Sequence, residues 1–245
     1  MSCCIFCRNN SAQFTTREHV LPESIGGGDW AILPSGLFCN DCQNRFGSEI
    51  EQQALEDYPF SMFRVFLGIP TKKLKAPWLK DDMEGTIKGS HDPGIIGYDP
   101  APWFEKAWFD GSKTVMRILA HPKNPHMICR FLIKMGIEVV ASDNTEDVFH
   151  EKFDRARQYA LTGEKTDTWW YLQVERKDEV SHYMTQGVSE TEWLQNVSLE
   201  VMKMDDEQEI FRLKLLYLDM FTPLTVGVLP DMEGMDEPEY RLFRV

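Results

Sequence analysis

Four cysteines in two closely spaced pairs are the residues of this sequence whose types and spacing best suit chemistry. Cys4 and Cys7 form the first Cys-x-x-Cys pair, and Cys39 and Cys42 form the second. Two sulfurs three residues apart can bind one side of a metal ion, and a second such pair completes a tetrahedral zinc site. The alternatives are chance or a redox pair, and the doubled spacing favours zinc. We therefore predict a structural Zn²⁺ held by these four cysteines.

The two cysteine pairs enclose an acid–histidine pair, Glu18 and His19. We interpret the stretch as a small catalytic loop held by a zinc site. The alternatives are a histidine hydrogen-bonded to backbone and a surface acid.

Short elements must position these residues. Residues 13–16 are compatible with a strand, and residues 24–29 form a loop rich in glycine. After the second pair, Phe46, Ile50 and Ala54 recur at a spacing that predicts a helix. So small a core is not stable alone, so zinc should contribute folding energy.

The rest of the chain alternates between helical and strand patterns without an internal repeat. A short helix is expected from Phe60 to Leu67, ended by Gly68. Residues 71–112, rich in Gly, Pro and Trp, predict a small antiparallel sheet. Its expected strands include Thr86–Lys88 and Lys106–Phe109.

The C-terminal half predicts helices and half-buried strands. Helices are expected at residues 125–142 and 146–162, the second ended by Gly163. Strands are expected at residues 169–174, 197–201 and 210–215. The acidic residues 205–207 predict a turn, and residues 231–239 a loop or loose tail. The fold class is α+β, with regions at residues 1–57, 58–112 and 113–245.

The composition is acidic, which limits the partners. The chain has 245 residues and a net charge of −13. Residues 1–55 contain three basic and six acidic side chains. Proteins that bind a phosphate backbone usually present a basic face, so unaided affinity for nucleic acid should be modest. No apolar run approaches the roughly 20 residues of a membrane span, and no signal peptide is evident. We expect a cytoplasmic protein without membrane contact.

Residues 4–51 resemble the HNH endonuclease family, which has the ββα-metal fold, here with an added zinc knuckle. The resemblance rests on both cysteine pairs, the Glu18–Gly27 stretch and the Arg45–Glu51 stretch. It implies an N-terminal ββα-metal module and metal-dependent hydrolysis of a phosphodiester, with DNA as substrate.

The resemblance also assigns roles to single residues. His19 would take a proton from water as general base. Glu18 would be the first ligand of a catalytic Mg²⁺ or Mn²⁺. Arg17 or Arg45 would hold phosphate oxygens.

The sequence departs from the family at the second metal ligand. The family has Asn directly after the last cysteine, whereas this chain has Gln43, followed by Asn44. Either amide could ligate the metal, and both are expected in the catalytic site. Alternatively, Asn40 and Gln43 would form a capping box at the start of the helix. The family's middle Asn is also missing, since Ser35 and Gly36 stand there.

Two functions follow from this reading. The first is a DNA-cutting nuclease whose C-terminal domain selects substrate, binds a protein partner or regulates activity, in a setting such as bacterial defence. The second is a catalytically weakened module in which zinc only stabilises an interaction or regulatory domain. The retained Glu18–His19 pair favours the first function, and the acidic charge and Gln43 favour the second.

Overall fold

One helix organises the N-terminal region. The computed structural model describes residues 2–70, 75–81, 85–90, 95–112, 121–164, 168–186, 188–204, 208–225, 229 and 240–245. The helix comprises α1 (Asn40–Phe46), a π-helical turn (Gly47–Glu51) and α2 (Gln52–Glu56). Phe46, Ile50 and Ala54 are all buried, which confirms the helical spacing.

The segment before this helix has little regular structure. Its described elements are two 3₁₀ turns, Glu23–Ile25 and Asp29–Ala31, and a single antiparallel bridge between His19 and Ile32. The strand predicted at residues 13–16 is wrong. The Asn40 side chain accepts hydrogen bonds from the Thr15 amide at 3.0 Å and the Thr16 hydroxyl at 3.1 Å. These bonds anchor the segment to the start of α1 instead of to a partner strand.

The middle region contains α3 (Phe60–Phe66) and a three-stranded antiparallel sheet. The strands are β1 (Trp78–Asp81), β2 (Gly85–Gly89) and β3 (Ile96–Pro100), in that order. The predictions of a short helix and a small sheet are confirmed. The predicted strand Lys106–Phe109 is wrong, because it lies in α4 (Pro102–Phe109). Proline at the first helical position favours a helix start there.

The C-terminal region combines a long buried helix with a five-stranded antiparallel sheet. The helices are α5 (Pro125–Asp143), α6 (Asp154–Thr162), α7 (Lys177–Gln186) and α8 (Glu190–Asn196). The strands are β4 (Trp170–Glu175), β5 (Val197–Lys203), β6 (Glu209–Leu215), β7 (Leu218–Pro223) and β8 (Tyr240–Arg244). Their order across the sheet is β5-β6-β7-β4-β8. The α+β fold class is therefore confirmed.

Several C-terminal predictions differ from the structure in detail. The helix expected from residue 146 begins only at Asp154, after two 3₁₀ turns. Gly163 ends it in the left-handed conformation, with φ of 71°, as predicted. The sequence reading missed α7, α8 and β7, and it missed that the chain returns to the sheet as β8. The turn predicted at residues 205–207 and the loop predicted at residues 231–239 lie outside the described residues.

One hydrophobic core runs through the N-terminal module and the C-terminal region. The Phe60 and Phe131 rings meet edge to face, with centroids 5.4 Å apart. Trp193 of α8 packs against Gly26, where an added Cβ would lie 2.0 Å from the indole. The first contact joins α3 to α5, and the second joins the module to α8; α5 also contacts the π-helical turn and α2 of the module. The three-region division stays a prediction.

In the part of the chain that the structure describes, every helix is too short or too polar to cross a membrane.

Candidate metal centre and catalytic residues

The four cysteines come together at the start of α1. Cys4 and Cys7 lie in a tight turn, in which the Arg8 amide donates to the Cys4 carbonyl at 2.9 Å. Arg8 has a φ of 58°, which reverses the chain here. Cys39 is the N-cap of α1, and its sulfur accepts a hydrogen bond from the Cys42 amide at 3.5 Å. A turn and a helix start thus present two sulfurs each to a common point.

The distances between these sulfurs suit one zinc ion. All four Sγ atoms lie within 4.8 Å of one another. The Sγ atoms of Cys7 and Cys39 are 3.7 Å apart. Zinc–sulfur bonds of about 2.3 Å in a tetrahedron place the sulfurs about 3.8 Å apart. The four-thiol donor set and its spacing therefore fit zinc.

The electrostatics of the cluster also call for a cation. A hydrogen bond from Cys42 lowers the pKa of the Cys4 thiol to about 5. Burial raises the pKa of Cys39 to about 11, and the hydrogen bond to Cys4 raises the pKa of Cys42. These contacts thus favour Cys4 as a thiolate, and a bound cation is what would allow Cys39 and Cys42 to ionise as well.

An aromatic wall closes one side of the cysteine cluster. Phe6 lies between Cys4 and Cys7 in sequence, and its ring centroid is 5.3 Å from that of Phe38 and 4.6 Å from that of Phe46. All three side chains are buried. The module therefore has a small apolar core next to the four sulfurs. This core and the sulfur cluster stabilise the same turn and the same helix start.

The backbone bridge to Ile32 holds His19 in position. The Val20 amide donates to the Ala31 carbonyl at 2.7 Å, and the Leu33 amide donates to the Glu18 carbonyl at 3.0 Å. The His19 side chain is 19% exposed, with Nε2 3.6 Å from the Glu23 carboxylate. Its Nδ1 is buried and has no hydrogen-bond partner among the described residues. The backbone bridge thus fixes the main chain at His19, whereas no hydrogen bond from the described residues holds the Nδ1 atom of its ring.

Glu18 points into the protein and meets charges there. Its Oε1 lies 2.5 Å from the ammonium of Lys134, and its Oε2 accepts a hydrogen bond from Gln43 Nε2 at 2.7 Å. Lys134 also pairs with Glu51 at 2.7 Å and with Glu138 at 3.0 Å. We call these four charged residues, Glu18, Glu51, Lys134 and Glu138, the Glu18 cluster.

The Glu18 cluster is almost completely enclosed. Lys134 and Glu138 are fully buried, and Glu18 is 7% exposed. Burial would lower the pKa of Lys134, but the three carboxylates outweigh it and raise the pKa, so the side chain stays charged. Burial raises the pKa of Glu138 well above its ordinary range. One ammonium therefore pairs with three carboxyl groups, and the cation at this position is a side chain of the protein.

The structure brings Gln43, one of the two candidate amides, against Glu18. Gln43 Nε2 donates to Glu18 and to the Arg17 carbonyl, at 2.7 and 2.9 Å. Asn44 is exposed. The capping box of Asn40 and Gln43 is wrong, because Cys39 is the N-cap and Gln43 turns away to Glu18.

This arrangement does not fit a divalent ion shared by Glu18 and Gln43. Both Glu18 oxygens already interact with nitrogen donors, and the Gln43 amide presents its nitrogen to Glu18. A Mg²⁺ bound at Glu18 would lie beside the Lys134 ammonium, and Gln43 would have to turn its amide oxygen toward the ion. The assignment of Glu18, Gln43 and Asn44 as metal ligands stays a prediction.

The two arginines predicted to hold phosphate are on the surface. Arg17 pairs with Asp29 at 2.8 Å, and Arg45 pairs with Glu49 at 3.2 Å. Exposed pairs of this kind contribute about 0–1 kcal/mol, so a phosphate could exchange for the carboxylate at little cost.

Sequence reasoning missed Lys134, Glu51 and Glu138. A signal was present: Lys134 and Glu138 are charged residues four apart within an otherwise apolar helical stretch. Such a pair indicates a buried ion pair, but it does not identify Glu18, 116 residues away, as the third member.

Comparison with known families agrees with the geometry. Residues 4–59 match the family model described as HNH endonuclease. The match includes both cysteine pairs and the Glu18–His19 pair, and it covers less than a quarter of the chain. Neither curated proteins nor solved structures gave a match. The resemblance seen in residues 4–51 is thus confirmed.

Proposed function

Because residues 4–59 form an HNH endonuclease module, we propose that this chain hydrolyses DNA phosphodiester bonds with His19 as general base. The family match, with His19 at the position where the resemblance puts the base, is the observation that carries the proposal. The four-cysteine site supports it, because it fixes both the turn before His19 and the helix behind it. DNA as the substrate, and residues outside the match as a means of selecting it or binding a protein partner, belong to this proposal.

His19 takes the proton at Nε2. Its Nδ1 is enclosed, so Nε2 is the nitrogen left to approach a water molecule. Removing a proton from that water generates the nucleophile that attacks phosphorus. The Glu23 carboxylate, 3.6 Å from Nε2, would then stabilise the imidazolium.

Arg17 and Arg45 are the proposed phosphate-binding residues. Guanidinium groups bind phosphate oxygens in a bidentate way. Arg17 directly precedes Glu18, Arg45 follows Gln43 by two residues on α1, and both are exposed, which leaves them accessible to a substrate. They are also two of only three basic residues among residues 1–55, which otherwise carry six acids.

A divalent ion such as Mg²⁺ or Mn²⁺, when bound, would stabilise the charge on phosphate and on the leaving oxygen. In the Glu18 cluster both Glu18 oxygens already contact nitrogen donors, so the proposed proton transfer to His19 uses only protein groups.

A weakened module is the second candidate function. The observation that favours it is the contact of Lys134 with Glu18, which occupies the expected metal ligand. In that case zinc would stabilise a module whose role is to bind or regulate a partner.

Incubation of the zinc-loaded chain with supercoiled plasmid and Mg²⁺ or Mn²⁺ tests the proposal. We expect wild-type protein to nick or linearise the plasmid, and His19→Ala to be at least about 100-fold slower, since general bases contribute that much. His182→Ala, at a 54% exposed position in α7, is the matched control and should cleave like wild type.

Equal cleavage by His19→Ala and wild type would overturn the assignment of the base. The absence of cleavage with either metal would instead support the weakened module.

A further inference from the structure

A buried lysine of the C-terminal region lies at the centre of the Glu18 cluster. Lys134 is on α5, and its flanking residues Ile133 and Met135 are fully buried like Lys134 itself. A lysine ammonium is rarely enclosed in this way unless carboxylates pair with it. The position therefore calls for an explanation beyond packing.

Three carboxylates converge on the Lys134 ammonium from three parts of the fold. Glu18 comes from the catalytic segment, Glu51 from the π-helical turn and Glu138 from the next turn of α5. The Nζ–oxygen distances are 2.5, 2.7 and 3.0 Å. The Phe38 ring lies 5.6 Å from the same ammonium. This is the environment of a bound cation, and the cation is a side chain.

The contact engages the carboxylate that the proposed nuclease would use for a metal. With Lys134 on one oxygen and Gln43 on the other, Glu18 has no oxygen that is free of a donor. The relevance to catalysis rests on the proposed function, because the HNH resemblance is what makes Glu18 an expected ligand.

We propose that Lys134 is a resident cation that positions Glu18 against Gln43 and withholds it from divalent metal ions. A Mg²⁺ or Mn²⁺ bound at Glu18 would lie beside the Lys134 ammonium, and like charges this close repel strongly in a buried site. Lys134 is thus a positioning residue through which the C-terminal region regulates metal binding in the N-terminal module.

The fold keeps Lys134 in this position. α5 packs directly against the π-helical turn and α2 of the module, within the shared core. Trp193 holds the module at a second point, Gly26. Withdrawal of the ammonium would require α5 and the module to separate, which would expose part of that core.

Binding of Mn²⁺ to the zinc-loaded chain, followed by the electron paramagnetic resonance signal of free Mn²⁺, tests the proposal without DNA. We expect wild type and Glu18→Gln to bind Mn²⁺ equally weakly. Lys134→Met should bind one Mn²⁺ at least tenfold more tightly than wild type. The double variant Lys134→Met/Glu18→Gln should lose that gain, and Lys134→Arg, which keeps the charge, should behave like wild type.

Lys152→Met is the matched control, because Lys152 pairs with Glu209 at 2.6 Å outside the Glu18 cluster. It should leave Mn²⁺ binding unchanged. A general loss of structure would not create a tighter site that depends on Glu18.

Weaker Mn²⁺ binding by Glu18→Gln than by wild type would overturn the proposal, because it would show that Glu18 binds metal with Lys134 in place. A folded Lys134→Met variant that binds Mn²⁺ no more tightly than wild type would also overturn the proposal. If Lys134→Met does not fold, the comparison of wild type with Glu18→Gln still decides. Loss of DNA cleavage in His19→Ala tests the nuclease separately and leaves the Mn²⁺ result unaffected.

Discussion

The cysteine cluster lies within the N-terminal module and the Glu18 cluster at its contact with α5, and the two clusters are built in opposite ways. The first gathers four sulfurs with no positive side chain among them, so it needs an external ion. The second gathers three carboxylates around Lys134, so its cation is part of the chain. The two sites differ in what faces their acidic or sulfur groups: at Glu18 a lysine of the same chain pairs with the carboxylate.

The two sites also differ in where their members come from. All four cysteines lie within residues 4–42, whereas the Glu18 cluster joins the module to α5. The first site can therefore stabilise the module by itself, and the second makes the module depend on the C-terminal region.

Removing one zinc ligand should have the largest effect. In Cys39→Ser we expect zinc content to fall from one ion per chain to none and the module to unfold. Structural zinc contributes on the order of 10 kcal/mol in isolated zinc peptides. Zinc analysis by mass spectrometry and urea unfolding check this. Cys3→Ser is the matched control, because Cys3 lies next to Cys4 but outside the cluster. Unchanged zinc content in Cys39→Ser would contradict the assignment of the site.

Lys134→Met should have the next largest effect on stability. It leaves the buried Glu18 and Glu138 and the partly exposed Glu51 without a cation, and removing one partner of a buried ion pair costs about 3–5 kcal/mol. Lys88→Met removes an exposed pair with Asp99 and should cost about 0–1 kcal/mol. Urea unfolding of both variants measures the difference. Similar losses of unfolding free energy in the two variants would mean that the Glu18 cluster does not stabilise the contact between the module and α5.

Glu138→Gln should have the smallest effect and should depend on pH. Because burial raises the pKa of Glu138, the folded chain keeps the Glu138 carboxyl group protonated at pH values above the ordinary carboxyl pKa. The unfolded chain loses it near pH 4.3, so the stability of wild type relative to Glu138→Gln should fall as pH rises above about 4.3. Urea unfolding at several pH values checks the sign. A difference that grows with pH in favour of wild type would show that Glu138 is ionised in the folded chain.

The sequence predicted local features well. The cysteine spacing, the buried face formed by Phe46, Ile50 and Ala54, and most C-terminal strands could be read from residues close together in the chain. Local errors arose where a side chain made an unforeseen contact. Asn40, expected as an N-cap, holds Thr15 and Thr16 instead.

The candidate site was predictable only in part, for a physical reason. Glu18 and His19 are adjacent, so their presence is visible in the sequence. The environment of Glu18 depends on Lys134, and the contact across 116 positions forms only when α5 packs on the module. Charge and spacing within the first sixty residues contain no information about that partner. For this reason the sequence could suggest a metal-ligand role for Glu18 but could not show that Lys134 and Gln43 contact its two oxygens.

Chemical rescue of His19 tests the central claim, a nuclease module with His19 as general base, most directly. The measurement is the rate of plasmid cleavage by His19→Gly in the presence and absence of free imidazole. The account predicts that His19→Gly is inactive alone and that imidazole restores cleavage in proportion to its concentration. Cleavage by His19→Gly at the wild-type rate without imidazole would contradict the account.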